Sequence, residues 1–423
     1  MQHPVFVLNM PDRKDRLASI KKQFKHRKEF NVSIVNPIPD KNPRKSLWLT
    51  ICHILEFSIG SKNSEYLIIC EDDHVFTEDY SRELLNQSIK SAAELNADIL
   101  LGGVSWQKYS YQVAENMYHI SSFTGLQFTI IFKKFFAEIL NQEFTNTDIA
   151  DKLISSLTLD KYLIYPAISS QKEFGYSDLT PNNNRAGRVT FLFDKTKNIL
   201  LRQKQIKDYY ANHNVKLLGK SIDADQFIIP LYLLKNKADD DVESTFKQFC
   251  NKDEFEVTVF EYAIDIYSTF TKCIEKAMMD EEDFFVLFKA GQTFTTHYNK
   301  QKFIENLVDA YIQRADLLLG GLEKSGICYP ISADRYWIDW FKNASCMVVF
   351  KNYYAKLLAY EPKETDRIDH VLTKLSINKM VFYPFISQDN SSNDKLSENN
   401  GQTPNHEDPK FIYYRDMFKK LNS

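Results

Sequence analysis

The chain contains the stretch Tyr66-Leu67-Ile68-Ile69-Cys70-Glu71-Asp72-Asp73, an apolar run that ends abruptly in three carboxylates. A short, uninterrupted apolar run predicts a strand that is buried on both faces, as in an α/β sheet. In open α/β sheets, ligands bind beyond the carboxyl ends of the strands. We therefore predict that the three carboxylates lie at a ligand-binding edge.

Three neighbouring carboxylates point to a metal ion. They repel one another unless a cation is present, and hard divalent ions such as Mg²⁺ and Mn²⁺ prefer oxygen ligands. Such an ion can bridge the two phosphates of a nucleotide diphosphate and stabilise it as a leaving group. We predict that Glu71 and Asp73 are metal ligands and that Asp72 belongs to the nucleotide site. The alternative is an acidic surface turn.

The chain also repeats itself, because residues 66–169 align with residues 284–387 without a gap. In this alignment Ala97-Asp98-Ile99-Leu100-Leu101-Gly102-Gly103 falls on Ala315-Asp316-Leu317-Leu318-Leu319-Gly320-Gly321. Coincidental composition would not keep paired glycines, a Tyr-Pro step and spaced aspartates in one register over this length. The chain therefore contains an internal duplication.

The duplication organises the chain into two α/β domains. A shifted register extends the repeat to residues 5–24 and 230–249, which both end in Lys-Gln-Phe. In each copy, short apolar runs alternate with amphipathic stretches, as strands and helices do in an α/β sheet. Strands are predicted at residues 5–8, 66–70, 99–101 and 129–132, and a helix at residues 15–25. The predicted boundaries are 1–195 for the first domain, 196–225 for a helical connector, 226–390 for the second domain, and 391–423 for a flexible linker and closing helix.

The closing helix has one apolar side, on which Phe411, Tyr414 and Phe418 fall together. This side either docks onto the protein body or makes a peripheral contact with an anionic membrane surface. The linker before it, from Gln388 to Pro409, is rich in Ser, Asn and Asp.

Charge and composition exclude several classes of protein. The net charge of −3 and a pI near 6.3 give no electrostatic case for nucleic acid as the main partner. The 6 cysteines are scattered without a Cys-x-x-Cys pair, which predicts reduced core residues. Neither a signal-peptide pattern nor a long apolar span is present, so we expect a cytoplasmic enzyme.

The second repeat keeps the framework but loses the charges. Where the first repeat has Cys70-Glu71-Asp72-Asp73, the second has Phe288-Lys289-Ala290-Gly291. An almost unaltered framework without its carboxylates is what we expect of a duplicated enzyme domain that has been released from metal binding. The second domain is therefore predicted to be degenerate.

A second charged segment, Asn9-Met10-Pro11-Asp12-Arg13-Lys14-Asp15-Arg16, lies between the first predicted strand and helix. Arg13 and Arg16, with the amides of the helix start, can hold a diphosphate or nucleotide, and we place Asn9 in the same site. The alternative is a solvated helix start whose charges pair with one another. Residues 234–241 of the second repeat contain no arginine.

With these residues, the first half of the chain resembles the family 25 glycosyltransferases, which include lipooligosaccharide-modifying enzymes and collagen galactosyltransferases. The resemblance covers residues 1–180, and the second half only through the repeat. It lies in Val7-Leu8-Asn9 with Arg13 and Arg16, in Leu49-Thr50-Ile51-Cys52-His53, in Glu71-Asp72-Asp73, and in Tyr165-Pro166-Ala167-Ile168-Ser169-Ser170-Gln171 followed by Ser177-Asp178.

The resemblance implies a GT-A fold in tandem copies and an inverting transfer that depends on Mn²⁺ or Mg²⁺. The implied donor is a UDP-sugar, often UDP-galactose, and the implied acceptor is a glycan such as lipooligosaccharide or another surface polysaccharide. The chain departs from the family pattern at Gly125-Leu126-Gln127-Phe128 and at Trp48 and Ile51. The exact donor and the acceptor therefore stay open.

An inverting transfer needs a general base for the acceptor hydroxyl proton. Asp148 and Asp151 are the candidates, but their counterparts persist in the second repeat, so a helix-capping or packing role is an equal alternative. His53 and His74 are weaker candidates, for which a structural role is favoured. The rival function is a non-catalytic glycan-binding or nucleotide-binding protein, and a bifunctional transferase is disfavoured by the lost carboxylates.

Overall fold

The computed structural model describes residues 2–60, 65–176, 181–213, 222–236, 242–262, 266–363, 366–389 and 408–422. Packing divides the chain into two compact units, Met1–Lys204 and Gln205–Ser423. Among the described residues, none of the helices combines the length and the apolar composition that a membrane crossing requires.

The first unit is built on a mixed eight-stranded sheet in the order β2-β1-β3-β10-β5-β11-β8-β7. Its strands are β1 (His3–Leu8), β2 (Phe30–Val35), β3 (Tyr66–Glu71), β4 (His74–Phe76), β5 (Ile99–Leu101), β6 (Trp106–Gln107), β7 (Ser110–Ala114), β8 (Met117–Ile120), β9 (Phe123–Thr124), β10 (Phe128–Phe132), β11 (Lys161–Ile164) and β12 (Ser169–Gln171). Its helices are α1 (Lys14–Phe24), α2 (Pro43–Ile59), α3 (Arg82–Glu94), α4 (Phe136–Leu140), α5 (Ala150–Ser156) and α6 (Arg188–Asn212), the last of which continues past the unit boundary.

The strands and the helix predicted from the sequence are confirmed, each within two residues at either end. The central strand β3 is buried from Leu67 to Cys70, and cores lie on both faces of the sheet. Helix α1 buries Ile20 and Phe24 in one of these cores. Helix α2 begins with Pro43, and the Asn42 side chain before it accepts a hydrogen bond from a backbone amide of its first turn.

The second unit has the same architecture. Its strands are β13 (Ile229–Asn236), β14 (Phe255–Tyr262), β15 (Phe284–Lys289), β16 (Gln292–Phe294), β17 (Leu317–Ser325), β18 (Cys328–Pro330), β19 (Arg335–Ile338), β20 (Phe341–Phe350), β21 (Lys379–Phe382) and β22 (Ser387–Asp389). Its helices are α7 (Val242–Lys247), α8 (Ile266–Met279), α9 (Lys300–Ile312), α10 (Lys351–Leu358), α11 (Ile368–Leu375) and α12 (Pro409–Asn422). The sheet order is β14-β13-β15-β20-β17-β21-β19-β18, which is the order of the first sheet strand for strand under the repeat. The predicted α/β class, with two related sheets, is confirmed.

Equivalent side-chain contacts recur in both units, including those of the shifted register. Gln23 accepts a hydrogen bond from the amide of Phe76 at 3.2 Å, and Gln248 accepts one from the amide of Phe294 at 3.0 Å. These are the glutamines of the two Lys-Gln-Phe sequences. The shifted part of the repeat therefore occupies equivalent structural positions in the two units. In the first unit, Gln23 of α1 bonds to β4. In the second unit, Gln248, directly after α7, bonds to β16.

The paired glycines of the repeat are required by a close approach of two backbones. A Cβ atom on Gly103 would lie 2.0 Å from the carbonyl oxygen of Ser169, and one on Gly321 would lie 2.2 Å from that of Ser387. Gly103 follows β5 and Gly321 lies within β17, and each approaches the first residue of β12 or β22. No larger residue fits there without moving the strand, which explains why the glycines stayed in register.

Two expectations need correction. Gln388 and Asp389 belong to strand β22 and not to the predicted linker, of which residues 390–407 lie outside the described part of the chain. The connecting helix starts at Arg188, before residue 196, the predicted start of the helical connector. The closing helix forms as α12, with Phe411 and Tyr414 buried within the second unit. All 6 cysteines are free, as predicted.

Candidate functional site

The candidate site forms where β1 and β3 end side by side. The two strands are parallel neighbours, and their register places Leu8 opposite Glu71. Asn9 and Asp72 follow directly, so residues far apart in sequence meet at one edge of the sheet. The side-chain amide of Asn9 donates a hydrogen bond to Asp72 at 3.0 Å.

Arg16, in the first turns of α1, binds both aspartates. Its Nη1 donates to Oδ1 of Asp72 at 3.0 Å and to Oδ2 of Asp73 at 2.9 Å. Arg16 as a residue is 4% exposed, so this is a buried ion cluster. Arg13 lies farther away, with Nη1 at 3.7 Å from Asp72. The structure thus brings together Asn9, both arginines and both aspartates, whose roles in nucleotide and metal binding stay predictions.

Two aromatic rings cover the buried arginine. The guanidinium carbon of Arg16 lies 4.5 Å from the ring centre of Tyr176 and 5.0 Å from that of Phe174. Its Nη2 donates to the carbonyl oxygen of Tyr176 at 2.8 Å. The sequence did not identify these two residues as part of the site, because they contact it only through the fold. Ser177 and Asp178, which follow them, lie outside the described residues.

Asp73 carries an unsatisfied oxygen. Gln171, on β12, donates a hydrogen bond to Oδ2 of Asp73 at 2.9 Å, whereas the buried Oδ1 has no hydrogen-bond partner in the described part of the chain. Burial raises the pKa of Asp73 to about 6, although Arg16 acts in the opposite direction and Asp72 reinforces the rise. Gln171 lies within the family-like stretch, but nothing in the sequence assigned it to the acidic cluster.

Glu71 is the least compensated carboxylate of the cluster. No hydrogen bond or ion pair reaches its side chain from the residues that the structure describes. Burial raises its pKa well above the ordinary value, and the charges of Asp73, Asp151 and Asp72 raise it further. The cluster therefore holds three carboxylates beside two arginines, and the raised pKa values reflect the cost of ionising all three without a further cation.

The described residues contain no group of three His, Cys, Asp or Glu side chains arranged as a preformed metal cage. Mg²⁺ and similar ions are often held by only one or two carboxylates, with waters and substrate phosphates completing the shell. The unpaired Oδ1 of Asp73 and the free carboxylate of Glu71 are two hard oxygen donors of this kind. The donor set fits a divalent ion that arrives with a phosphate ligand.

Asp148 is outside this cluster. Its Oδ2 accepts hydrogen bonds from the hydroxyl and the amide of Thr145, both at 2.7 Å, and these bonds lower its pKa. The equivalent Asp366 accepts a bond from the amide of Lys363 at 3.0 Å. In both units this aspartate closes the loop before a short helix.

Asp151 lies at the edge of the cluster. It is mostly buried, which raises its pKa, and its charge contributes to the raised pKa of Glu71. Its Oδ2 accepts a hydrogen bond from the amide of Gly125 at 2.8 Å, and the equivalent Asp369 accepts one from the amide of Asn343 at 3.4 Å. Asp151 therefore has both a structural contact and a position beside the carboxylates.

The two candidate histidines lie apart from the carboxylates' contacts. His74 is buried with Nδ1 at 2.8 Å from the hydroxyl of Ser169, and burial lowers its pKa to about 3, so it is neutral near pH 7. His53 lies on an exposed position of α2.

The second unit carries a lysine at the equivalent edge. Lys289 ends β15, and burial lowers its pKa while the charges of Asp389 and Asp369 oppose that effect. Ala290 and Gly291 follow it without side chains for metal binding. The positions equivalent to Arg13 and Arg16 fall within residues 237–241, outside the described part of the chain.

Several solved structures are similar to parts of this chain. A197 from STIV is 15% identical, with 43% of this chain and 92% of that chain covered and a TM-score of 0.31. An apo UDP-glucose pyrophosphorylase is 11% identical, with 46% and 82% covered and a TM-score of 0.27. The glycosyltransferase GlyE of Streptococcus pneumoniae TIGR4 is 7% identical, with 74% and 99% covered and a TM-score of 0.26. At these values the similarities carry no argument about function. No protein-family model and no curated protein matches the chain.

Proposed function

We propose that the first unit is a metal-dependent glycosyltransferase that uses a nucleotide diphosphate sugar as donor. The observation that carries this proposal is the unneutralised carboxylate cluster at the end of β3. No hydrogen bond or ion pair reaches the Glu71 side chain from the described residues, and Oδ1 of Asp73 is buried without a hydrogen-bond partner there. Buried charge of this kind is costly unless a cation joins it, and oxygen donors favour Mn²⁺ or Mg²⁺.

The second unit supports this proposal by contrast. There, Lys289 supplies a positive charge from the chain itself beside Asp369 and Asp389. The first unit has Glu71 at that position, so its extra cation has to come from solution. The same sheet edge is therefore internally balanced in one unit and dependent on an ion in the other.

The residues of the cluster have different roles in donor binding. Glu71 and Asp73 would hold the ion, which would supply positive charge to the departing nucleotide diphosphate. Asp72, already bonded to Asn9 and Arg16, orients the arginine side chains. Arg13 stands at the start of α1, where backbone amides also favour an anion, and it binds the diphosphate, whereas the buried Arg16 holds Asp72 and Asp73 in place.

The finer assignment follows the sequence resemblance. We infer a UDP-hexose donor, with galactose as the first candidate, and transfer with inversion to a glycan acceptor. Of the two candidate bases, Asp151 is the one beside the cluster, and its raised pKa suits a proton acceptor better than that of the solvent-facing, loop-bound Asp148.

Calorimetric titration of the full chain with UDP, with and without Mn²⁺, tests donor binding. We expect UDP to bind only with Mn²⁺ present. The double variant with Glu71→Gln and Asp73→Asn should lose this Mn²⁺-dependent binding. Glu83→Gln, on the exposed face of α3, is the matched control and leaves the titration unchanged. Equal UDP binding with and without metal, or none at all, would overturn the proposal.

A hydrolysis assay with a panel of UDP-sugars then separates the enzyme from the non-catalytic rival. Metal-dependent release of UDP from one donor supports transfer chemistry. UDP-sugar binding without any turnover, with acceptor glycans added, would favour a binding protein.

A further inference from the structure

A cavity of about 200 Å³ lies in the first unit, between the segment after β11 and the first half of α6. Its walls are mainly apolar and include Tyr165, Ala167, Phe193 and Leu200. The function proposed above does not use this cavity.

The equivalent wall of the second unit carries a phenylalanine in place of the alanine. The hydroxyl of Thr77 donates to the carbonyl oxygen of Ala167 at 2.7 Å, and that of Thr295 donates to the carbonyl oxygen of Phe385 at the same distance. The backbones of Ala167 and Phe385 are thus held in the same way, and only their side chains differ.

Aromatic rings fill this place in the second unit. The ring of Phe411, from α12, stacks on Tyr383 with centres 4.9 Å apart and planes at 17°. It also meets the ring of Phe385 at 5.4 Å, and Phe411 is completely buried. Tyr383 is the counterpart of Tyr165, so the wall that borders the cavity in the first unit binds a ring in the second.

We propose that the cavity of the first unit binds an aromatic ring of a ligand, packed beside Tyr165 in the place that Phe385 and Phe411 fill in the second unit. An apolar protein cavity of about 150 Å³ is large enough to bind benzene, and this cavity is larger. Lys197 and Asp79, paired at 3.8 Å, add polar groups to its lining. Such a lining suits a ring that continues into a polar group.

The position of the cavity indicates that the ring belongs to the acceptor, an assignment that rests on the proposed function. Ala167 is followed by β12, whose Gln171 donates to Asp73. At about 3.3 Å per extended residue, the cavity wall lies roughly 13 Å along the chain from the carboxylates. A glycoside with an aryl group in the cavity can therefore place its sugar toward the metal site.

The test compares ring binding by wild type, Ala167→Phe and Ala93→Phe, with phenyl β-galactoside and methyl β-galactoside as probes. Ala93 lies on the exposed face of α3 and provides the matched control. In titrations followed by NMR, we expect the phenyl glycoside to bind wild type at least about tenfold more tightly than the methyl glycoside. Ala167→Phe removes this preference, and Ala93→Phe keeps it.

Ala167→Leu repeats the test with a smaller side chain if the phenylalanine variant does not fold. Equal binding of the two glycosides to wild type, or an unchanged preference in a folded Ala167 variant, overturns the proposal. Binding of UDP with Mn²⁺ is measured on the same samples, and we expect it to be unchanged in both Ala167 variants. If UDP does not bind wild type while the phenyl preference holds, the proposed function fails and ring binding by the cavity stands.

Discussion

The ends of strands β3 and β15 occupy the same place in two sheets of the same strand order, but they carry opposite charges. In the first unit, Glu71 stands beside other carboxylates and its pKa is raised. In the second, Lys289 stands near Asp369 and Asp389. Several acidic groups at one sheet edge repel one another unless a positive charge compensates them. The comparison teaches that one copy has a lysine of its own at this edge, whereas the proposed function requires the other copy to take a cation from outside.

The largest expected effect is on transfer activity. Replacing Glu71 with Gln and Asp73 with Asn should lower the rate of metal-dependent transfer by at least about a thousandfold, since several kcal/mol of charge stabilisation are lost. Lys289→Gln, the counterpart change in the second unit, should leave the rate within about twofold, a change that corresponds to under 1 kcal/mol. Rates are measured with Mn²⁺ and the active UDP-sugar, with circular dichroism to confirm the fold. Full activity of the double variant would place the metal site elsewhere.

The next effect concerns the stability of the first cluster. Arg16→Ala leaves two buried aspartates without their cation, and we expect the free energy of unfolding to fall by about 3–5 kcal/mol. Arg13→Ala should cost about 1 kcal/mol or less, because its guanidinium is more exposed and 3.7 Å from Asp72. Urea denaturation without metal measures both values.

Mn²⁺ sharpens this test. If the ion replaces part of the missing positive charge, it should raise the free energy of unfolding of Arg16→Ala by RT ln(1 + c/Kd), where c is the Mn²⁺ concentration. This increase grows with the logarithm of the Mn²⁺ concentration once that exceeds Kd. Equal stability of the two arginine variants would mean that the cluster does not depend on Arg16.

The smallest predicted effect is a dependence of stability on pH in the absence of metal. Burial raises the pKa of Asp73 from 3.8 to about 6, so between these values the folded state binds more protons than the unfolded state. Stability therefore falls as pH rises through this window, by up to about 3 kcal/mol from this group. The loss is complete above the folded-state pKa.

Asp73→Asn isolates this contribution. Urea denaturation between pH 4 and pH 7 should show that the free energy of unfolding of the variant increases relative to that of wild type as pH rises. Added Mn²⁺ should reduce this increase. A constant difference in the free energy of unfolding between the two proteins across this range would show that the pKa of the Asp73 carboxyl is not raised. A control with Asp148→Asn should show no gain over the same range, because hydrogen bonds from Thr145 lower the pKa of Asp148.

The sequence by itself determined the local features of the chain. Apolar runs located the strands, since strands that are buried on both faces are predominantly apolar. The repeat predicted two sheets of one class, and paired glycines stayed in register because a Cβ atom would strike the backbone of β12 or β22. The three carboxylates at the end of β3 predict a ligand edge, and their loss at the end of β15 predicts a degenerate copy; both stay predictions.

The tertiary structure decided which charges meet. Asp148 and Asp151 are equivalent as sequence candidates, but only Asp151 raises the pKa of Glu71, because the packing of α5 against β9 brings it there. Gln171 and Tyr176 join Asp73 and Arg16 from more than 90 residues away along the chain. Such contacts depend on the distances that a fold creates and leave no periodic pattern in the sequence. The cavity beside Ala167 has the same origin, because a small side chain leaves space only where its neighbours do not close in.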